Sequence, residues 1–197
     1  MSKGIDTPIL LDFPEQIETE RLILRPPKPG DGPAMNAATR ESLDDLRPWM
    51  PWAQHVPEVE ETEAICRRKY AEWITREDLM ITFWRKSDGE FVGGSGMHRI
   101  NWAVPQVEIG YWRRSSMTGN GYVTETVNAL TAFAFKYLHA QRIEIRIDSR
   151  NTASIAVAER AAYMLEAQLT NHDRAVDGSL RDTLVYVMFP PDAQQSS

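Results

Sequence analysis

Hydrophobic and polar residues alternate along several short segments of the chain, a period of two that is typical of strands burying one face. Other segments repeat their apolar positions every three or four residues, which is the period of a helix with one buried side. The segments predicted as strands are 17–25, 79–85, 91–100, 106–113, 142–148 and 183–189. The segments predicted as helices are 31–44, 62–75, 122–138 and 151–161.

The order of these elements predicts the fold class. One strand and two helices precede three consecutive strands, which are followed by a helix, a strand, a helix and a last strand. Consecutive strands favour antiparallel pairing, whereas a strand–helix–strand unit makes a right-handed crossover between parallel strands. We therefore expect an α/β (α+β) fold with a mixed, mostly antiparallel central sheet and helices on both faces. Strands 106–113 and 142–148 should be its parallel pair.

Length and composition narrow the class of protein. The 197 residues fit one domain over 1–197, with its core at about 17–190 and a tail at each end. The net charge of −6, without a lysine or arginine stripe, disfavours nucleic acid as a partner. No apolar run reaches the roughly 18–20 residues that span a bilayer, so no membrane partner is expected. Cys66 is the single cysteine, which fits the cytoplasm, and the four histidines lack metal-ligand spacing.

The loop after strand 106–113 contains the sequence TGNGYVT, residues 118–124. Free N–H groups and the helix dipole make such a glycine-containing helix start a site for an anion. A Walker A loop is excluded because Tyr122 follows Gly121 where a lysine is required. A dinucleotide fingerprint is excluded because Thr124 occupies the position of its third glycine. A pyrophosphate site and an ordinary strand-to-helix turn remain as interpretations of the loop alone.

Five segments in order resemble one enzyme superfamily. They are IETERLILRP, LRPWMPWA, VEIGYW, TGNGYVTET and DSRNTASIAVAERAAY, within residues 17–190. The chain resembles the GNAT superfamily of acyl-CoA-dependent N-acetyltransferases, and within it the branch of ribosomal-protein Nα-acetyltransferases. This resemblance implies an acyltransferase with the GNAT fold, whose parallel strands splay apart, with acetyl-CoA as cosubstrate.

The resemblance also implies direct attack of a primary amine on the thioester in a ternary complex. The expected acceptor is the N-terminal α-amine of a protein or peptide, and the negative net charge would weakly steer such a cation. A small-molecule amine or amino acid and a non-catalytic acyl-CoA-binding module remain as alternatives. Because relatives are often dimers, a homodimer is compatible with the resemblance.

Coenzyme-binding residues are implied by the same resemblance. The backbone of Tyr111, Trp112 and Arg113 is expected to pair with the pantetheine amides along the splayed strand. The residues expected around the pyrophosphate are Thr118, Gly119, Asn120, Gly121, Tyr122, Val123 and Thr124.

Three positions depart from the family pattern. Thr118 replaces glutamine or arginine, and Val123 replaces glycine or alanine, so its branched side chain could crowd a phosphate. Ala162 replaces glycine and is therefore expected to adopt a positive φ.

Side chains for the chemistry are implied in the same way. Glu108 is the predicted base for the amine, with a structural ion pair to an arginine as the alternative. Ser154 would hydrogen-bond the departing thiolate, and Asn151, one helical turn earlier, would bind a pantetheine carbonyl, cap the helix, or do both. Backbone N–H groups around 109–111 would hold the oxyanion.

Three further side chains are expected on the acceptor side. Trp49 and Trp52 lie in a proline-bounded loop, where they would either line the acceptor groove or anchor the loop in the core. His98 lies on the strand beside 106–113 and would contact the acceptor, with a purely structural role or general-base catalysis as alternatives.

Overall fold

An eight-stranded mixed sheet runs through the computed structural model, which describes residues 4–191. Its strands are β1 (Ile17–Glu18), β2 (Leu22–Arg25), β3 (Leu79–Arg85), β4 (Phe91–Asn101), β5 (Gln106–Arg113), β6 (Arg142–Asp148), β7 (Met164–Arg174) and β8 (Leu180–Met188). The strand order is β1-β2-β3-β4-β5-β6-β8-β7. Only β5 and β6 are parallel among these neighbours, so the predicted mixed sheet and its parallel pair are confirmed.

Five α-helices accompany the sheet in the described part of the chain. They are α1 (Gly32–Glu41), α2 (Leu43–Leu46), α3 (Val59–Thr75), α4 (Tyr122–Tyr137) and α5 (Thr152–Arg160). Helices α1 to α3 contribute to a small core cluster that contains Phe91 and Trp112. Helices α4 and α5 contribute to the larger cluster, which contains Phe83 and Ile145. Apolar clusters therefore lie on both faces of the sheet.

Several boundaries differ from the sequence prediction. The segment 17–25 is interrupted, because the chain bends between β1 and β2 and the two strands pair with each other. Helix α3 begins at Val59 rather than at 62, since Glu58 and Glu61 form a reciprocal capping box there. Strand β7 was missed because its residues are mostly exposed, so no alternation marks it. Strand β8 begins at Leu180, not at 183.

The parallel strands pair over only three residues. The register joins Gln106 to Arg142, Val107 to Ile143 and Glu108 to Glu144, and there it ends. Strand β6 continues alongside β8, while β5 stays paired with β4 on its other side. Residues 109–113 therefore have an open edge toward β6, which confirms the predicted splay.

The turn after α5 holds Ala162 in the left-handed region. Its φ is 61°, as expected from the missing glycine, and this conformation costs an alanine about 1–2 kcal/mol. The next residue, Tyr163, is buried and its hydroxyl lies 2.6 Å from that of Thr131 on α4. Packing of this tyrosine between α4 and the sheet therefore offsets the strain. Among the described residues, no helix is long and apolar enough to span a bilayer.

Candidate active site at the splayed strands

Two cavities meet the open edge of β5. The first, here called the loop cavity, has a volume of about 1000 Å³ and lies between the bend after β1, the start of α4 and one side of α5. The second, here called the apolar cavity, has about 710 Å³ and lies between the sheet, α1 and α3. Arg113 lines the loop cavity, whereas the adjacent Trp112 lines the apolar cavity. The open strand thus separates two spaces that could receive two substrates.

The loop at 118–124 forms the floor of the loop cavity. Six of its seven residues line the cavity, all except Asn120. Gly119 and Gly121 have φ values of 80° and 75°, and Gly121 precedes the first residue of α4. The first helical hydrogen bond runs from the N–H of Glu125 to Gly121, so the N–H groups of residues 122–124 come before the helical ladder. This is the geometry of an anion site at a helix N-terminus.

Side chains within the loop hold its shape. The Thr118 hydroxyl donates to the carbonyl of Ser115 over 2.5 Å. The Asn120 amide donates to the carbonyls of Met117 and Thr118, each over 3.2 Å. The side chains of Thr118 and Asn120 therefore form hydrogen bonds within the loop, so that mainly backbone groups of the loop face the cavity.

Arg21, a residue that sequence reasoning missed, clamps this loop from the bend between β1 and β2. Its guanidinium donates to the Asn120 carbonyl over 2.9 Å and to the Glu125 carboxylate over 2.8 Å, and it lies 4.8 Å from the ring centre of Tyr122. Arg21 also lines the loop cavity, together with Arg113 and Arg160. Three cationic side chains and two carboxylates, Glu20 and Glu125, thus line a space whose floor carries a helix N-terminus. The excess of positive charge, together with the helix N-terminus, favours a polyanion.

Glu125 is the acceptor that fixes the clamp. Its carboxylate accepts from the Thr19 hydroxyl over 2.5 Å and from the Arg21 backbone N–H over 3.0 Å. Burial raises the pKa of this carboxyl, but the bonds from Thr19 and Arg21 outweigh it and the pKa ends below its usual value. A pKa depressed by folding contributes stability above about pH 4.3, and this stability is lost as the pH falls through the folded-state pKa.

Glu125→Gln is therefore expected to lower the free energy of unfolding by about 1–2 kcal/mol at pH 7. The deficit should shrink toward pH 3, because protonation progressively removes the charge of the wild-type carboxyl as the pH falls. Urea unfolding at both pH values measures the effect. Glu60→Gln on the exposed surface of α3 removes one negative charge as the matched control. An equal and pH-independent change in both variants would contradict the role of the clamp.

The open edge of β5 touches α5 through Tyr111. Its hydroxyl donates to the backbone carbonyl of Ser154 over 3.1 Å, and burial raises its pKa. The Asn151 side chain accepts from the backbone N–H of Ser154 over 3.1 Å, so it caps α5, as the alternative interpretation of this residue predicted. Neither Asn151 nor Ser154 lines the loop cavity. The structure nevertheless brings Ser154 to the open edge through Tyr111.

Glu108 lies at the last paired position of the parallel strands. One carboxylate oxygen is 3.2 Å from Arg99 and 3.7 Å from Arg146, so the group is ion-paired. It lines neither of the two cavities. Its predicted role as the base stays a prediction, and the alternative of an arginine pair describes its present contacts.

The apolar cavity brings together two of the three residues expected near the acceptor. Trp52 and His98 line it, whereas Trp49 does not. Its apolar wall consists mainly of Met35, Met50, Trp52, Ile65, Met80 and Trp112. The Trp52 and Trp112 rings meet edge to face with their centres 5.8 Å apart. The side chain of Trp112 thus belongs to this wall, and only its backbone lies along the open edge toward β6.

His98 has a partner that the sequence did not indicate. Its Nδ1 lies 2.7 Å from the carboxylate of Asp78, the residue just before β3. Asp78 is separated from His98 by twenty residues and by one complete hairpin. No local spacing marks the pair, so only strand register could have revealed it.

Comparisons with known proteins agree with this geometry. The family model described as acetyltransferase (GNAT) domain matches residues 21–163. The chain is 26% identical over 175 residues to "Putative ribosomal N-acetyltransferase YdaF" of Bacillus subtilis (strain 168), covering 86% of this chain and 92% of that protein. It is 29% identical over 104 residues to "Uncharacterized N-acetyltransferase p20" of Bacillus licheniformis, covering 53% of this chain and 58% of that protein.

A solved structure supports the same assignment. The structure titled as Mycobacterium smegmatis RimJ in complex with CoA-disulfide superposes with a TM-score of 0.75 at 29% identity, covering 87% of this chain and 83% of that one. The sheet with its splayed parallel pair, the glycine loop and the family match all point to one group of acyltransferases. The chain belongs to the GNAT acetyltransferase family.

Proposed function

We propose that the protein transfers the acetyl group of acetyl-CoA to a primary amine, most specifically the N-terminal α-amine of a protein or peptide. The observation that carries this proposal is the open edge of β5 between two cavities of opposite character. One cavity suits a polyanion and the other suits an apolar acceptor group. Two substrates bound in them would meet at residues 109–113, as direct attack in a ternary complex requires.

The residues of the loop cavity fit coenzyme A. Backbone N–H groups at the start of α4 would hold the pyrophosphate, and Arg21, Arg113 and Arg160 would neutralise phosphate charge. The open edge of β5 leaves backbone groups that pantetheine amides can pair with as an added strand. Val123 lines the cavity, and its partly buried side chain also packs against the larger core.

The chemistry supports an α-amine as the acceptor. An α-amine ordinarily has a pKa of about 8, so roughly a tenth of it is neutral at pH 7, whereas a lysine is neutral at below about 0.1%. An α-amine therefore depends less than a lysine on a general base to deprotonate it. Backbone N–H groups at 109–111 that face the open edge would stabilise the oxyanion. Glu108 is the base proposed from the sequence.

The names of relatives favour a protein acceptor and coenzyme A. YdaF carries the name "Putative ribosomal N-acetyltransferase", and the RimJ structure contains a CoA-disulfide.

Acetyl transfer to a panel of N-terminal peptides, amino acids and small amines tests the proposal. Release of the coenzyme A thiol should be fastest with at least one peptide α-amine, and the acetyl group should be found on its N-terminus by mass spectrometry. Faster transfer to a free amine or an amino acid would indicate that the acceptor is a small molecule instead of a peptide. Binding of CoA without thiol release from any amine would reject catalysis and favour a binding module.

Ser154→Ala is expected to lower kcat about tenfold, because the thiolate would lose one hydrogen bond worth about 1–1.5 kcal/mol. The dissociation constant of CoA should change less than twofold. The backbone bonds of Ser154 to Tyr111 and Asn151 do not involve the hydroxyl, so the fold should be retained. Thr152→Ala deletes a hydroxyl on the exposed side of the same helix as a control. Loss of CoA binding with unchanged kcat would contradict the assigned role.

A further inference from the structure

We propose that His98 is the catalytic residue that takes the proton from the attacking amine, with Asp78 as its positioning residue. This inference rests on the proposed function and names the proton acceptor within it. It assigns this role to a side chain on β4 instead of to Glu108 on β5.

The imidazole of His98 has a fixed orientation. Asp78 Oδ2 lies 2.7 Å from Nδ1, and its other oxygen lies 3.4 Å from Lys69 Nζ on α3, an ion pair without hydrogen-bond geometry. The Asp78 side chain is only 18% exposed. A carboxylate that accepts a hydrogen bond from Nδ1–H holds the imidazole in the tautomer whose Nε2 lone pair can accept a proton.

Nε2 of His98 lies over the Gly96–Gly110 pair of β4 and β5. A Cβ at Gly96 would lie 2.8 Å from Nε2 and 2.6 Å from the imidazole Cε1, so the imidazole occupies the space that this glycine leaves. A Cβ at Gly110 would lie 3.9 Å from Nε2. Gly110 is on the open edge of β5, two residues beyond the last pair with β6. Cδ2 is nearer to that Cβ, at 3.5 Å, so the Cδ2–Nε2 edge of the imidazole faces Gly110, beside the place where the acyl group and the amine would meet.

The two candidate bases, His98 and Glu108, differ in their surroundings. His98 lines the apolar cavity, whereas the Glu108 carboxylate lies between Arg99 and Arg146 and lines neither cavity. The two guanidinium groups thus occupy the carboxylate that a substrate amine would have to reach. An imidazole generally titrates near neutral pH, which matches it to an α-amine better than a glutamate carboxyl group, whose ordinary pKa is about 4.3.

Several charged and titratable groups surround this imidazole. Burial raises the pKa of the Asp78 carboxyl, but the hydrogen bond and charge of His98 and the charge of Lys69 outweigh it, so the pKa ends lower than usual. Asp78 is therefore ionised at neutral pH. The other groups that line the cavity or oppose His98 are His55 before α3, Glu61, Arg68 and Lys69 on α3, and Glu108 and Tyr111 on β5.

The proton balance is complete without another reactant. The neutral amine attacks the thioester carbonyl, the C–N bond forms, and Nε2 takes the proton released from nitrogen. The C–S bond then breaks, the electron pair leaves with sulfur, and the imidazolium returns the proton to give the coenzyme A thiol. The imidazole is neutral again at the end of the cycle.

Chemical rescue tests the inference. His98→Ala should lower kcat/KM at pH 7 by about 100-fold or more, with the dissociation constant of CoA within twofold of wild type. Added imidazole should raise the kcat/KM of His98→Ala about tenfold, because the deletion leaves room for an imidazole molecule beside Gly96. His172→Ala, on the exposed strand β7, is the matched control and should neither lose activity nor respond to imidazole.

The role of Asp78 is tested through the pH profile. Because the α-amine itself ionises near pH 8, kcat/KM is expressed per neutral amine, so that the acidic limb reports the enzyme. Asp78→Asn should lower this kcat/KM about tenfold or more and move its acidic limb to lower pH, because the charge that stabilises the imidazolium is gone. A loss of rate with an unmoved limb would indicate a structural role for Asp78 and would overturn its assignment. Glu108→Gln should keep the acidic limb of the wild type if His98 is the base.

The outcomes separate the two proposals. No thiol release by the wild type with any amine would reject the proposed function and this inference together. An active wild type with His98→Ala within threefold of it would overturn the inference alone. So would a loss of rate in folded His98→Ala that imidazole leaves unchanged, or loss of the acidic limb in Glu108→Gln. If His98→Ala does not fold, His98→Gln takes its place, with loss of the acidic limb as the expected result.

Discussion

Gly121→Asp should weaken CoA binding by at least about 100-fold. Gly121 has a φ of 75° and ends the loop at the start of α4, where a Cβ would lie 3.6 Å from Arg21. An aspartate there would place its negative charge in the proposed phosphate site. Its carboxylate could also accept hydrogen bonds from the free N–H groups at the start of α4. Two like charges about 5 Å apart at an effective dielectric constant of about 20 repel by about 3 kcal/mol, which corresponds to roughly 200-fold in affinity.

Calorimetric titration with CoA measures this loss, and two variants isolate its cause. Gly178→Asp has the same type of backbone strain, since φ is 83° and a Cβ would meet no atom within 4 Å, but it lies in the turn before β8. It should lose stability and keep CoA affinity. Gly121→Ala adds strain without charge and should bind more tightly than Gly121→Asp. CoA affinity of Gly121→Asp within threefold of wild type would refute the pyrophosphate assignment.

Trp112→Ala should lower the free energy of unfolding by about 3–5 kcal/mol, the range for deleting a large aromatic side chain from a core. Trp112 is only 9% exposed and its ring centre lies 5.7 Å from that of Phe91. A Cβ at Gly94 would lie 2.4 Å from its indole nitrogen, so the ring lies directly on the backbone of β4. Deleting it would leave a hole between β4, β5 and the helices that cover the apolar cavity.

Trp52→Ala is the matched control, because it removes the partner ring from the same aromatic contact. Trp52 is 45% exposed, so its loss should cost less than about 1 kcal/mol. It should instead raise the KM for the amine, since Trp52 lines the apolar cavity. Equilibrium urea unfolding and acceptor kinetics measure both effects. If the two variants lowered the free energy of unfolding equally, Trp112 would not be the residue that anchors the wall of the apolar cavity.

The sequence predicted most of the strands because their apolar residues are buried in the sheet. Strands β2, β5 and β6 alternate between more and less buried positions, whereas β3, β4 and β8 are buried on both faces over several consecutive residues. The parallel or antiparallel pairing follows from the order of elements. Strand β7 was not predicted because exposed residues on both faces give no alternating pattern of apolar and polar positions. The interruption between β1 and β2 escaped because it depends on Arg21 and Thr19 binding Glu125, more than 100 residues away.

The same distinction between local and long-range interactions holds for the candidate site. The glycine loop could be predicted, since positive φ at glycines and free N–H groups at a helix start are local properties. The partners of its side chains could not be predicted. Sequence reasoning placed Glu108 on the right strand, but strand register decided that Arg99 and Arg146 would neutralise it.

By itself, then, the sequence determined the order of most elements, the splayed pair through its family resemblance, and the glycine-containing helix start at 118–124 that is proposed to bind an anion. The tertiary structure alone decided that Arg21 clamps this loop, that Asp78 contacts His98, and that an apolar cavity lies beside the open edge of β5. The physical reason is the range of the interactions. Backbone conformation and amphipathic period depend on near neighbours, whereas ion pairs and cavities depend on which strands and helices are packed together.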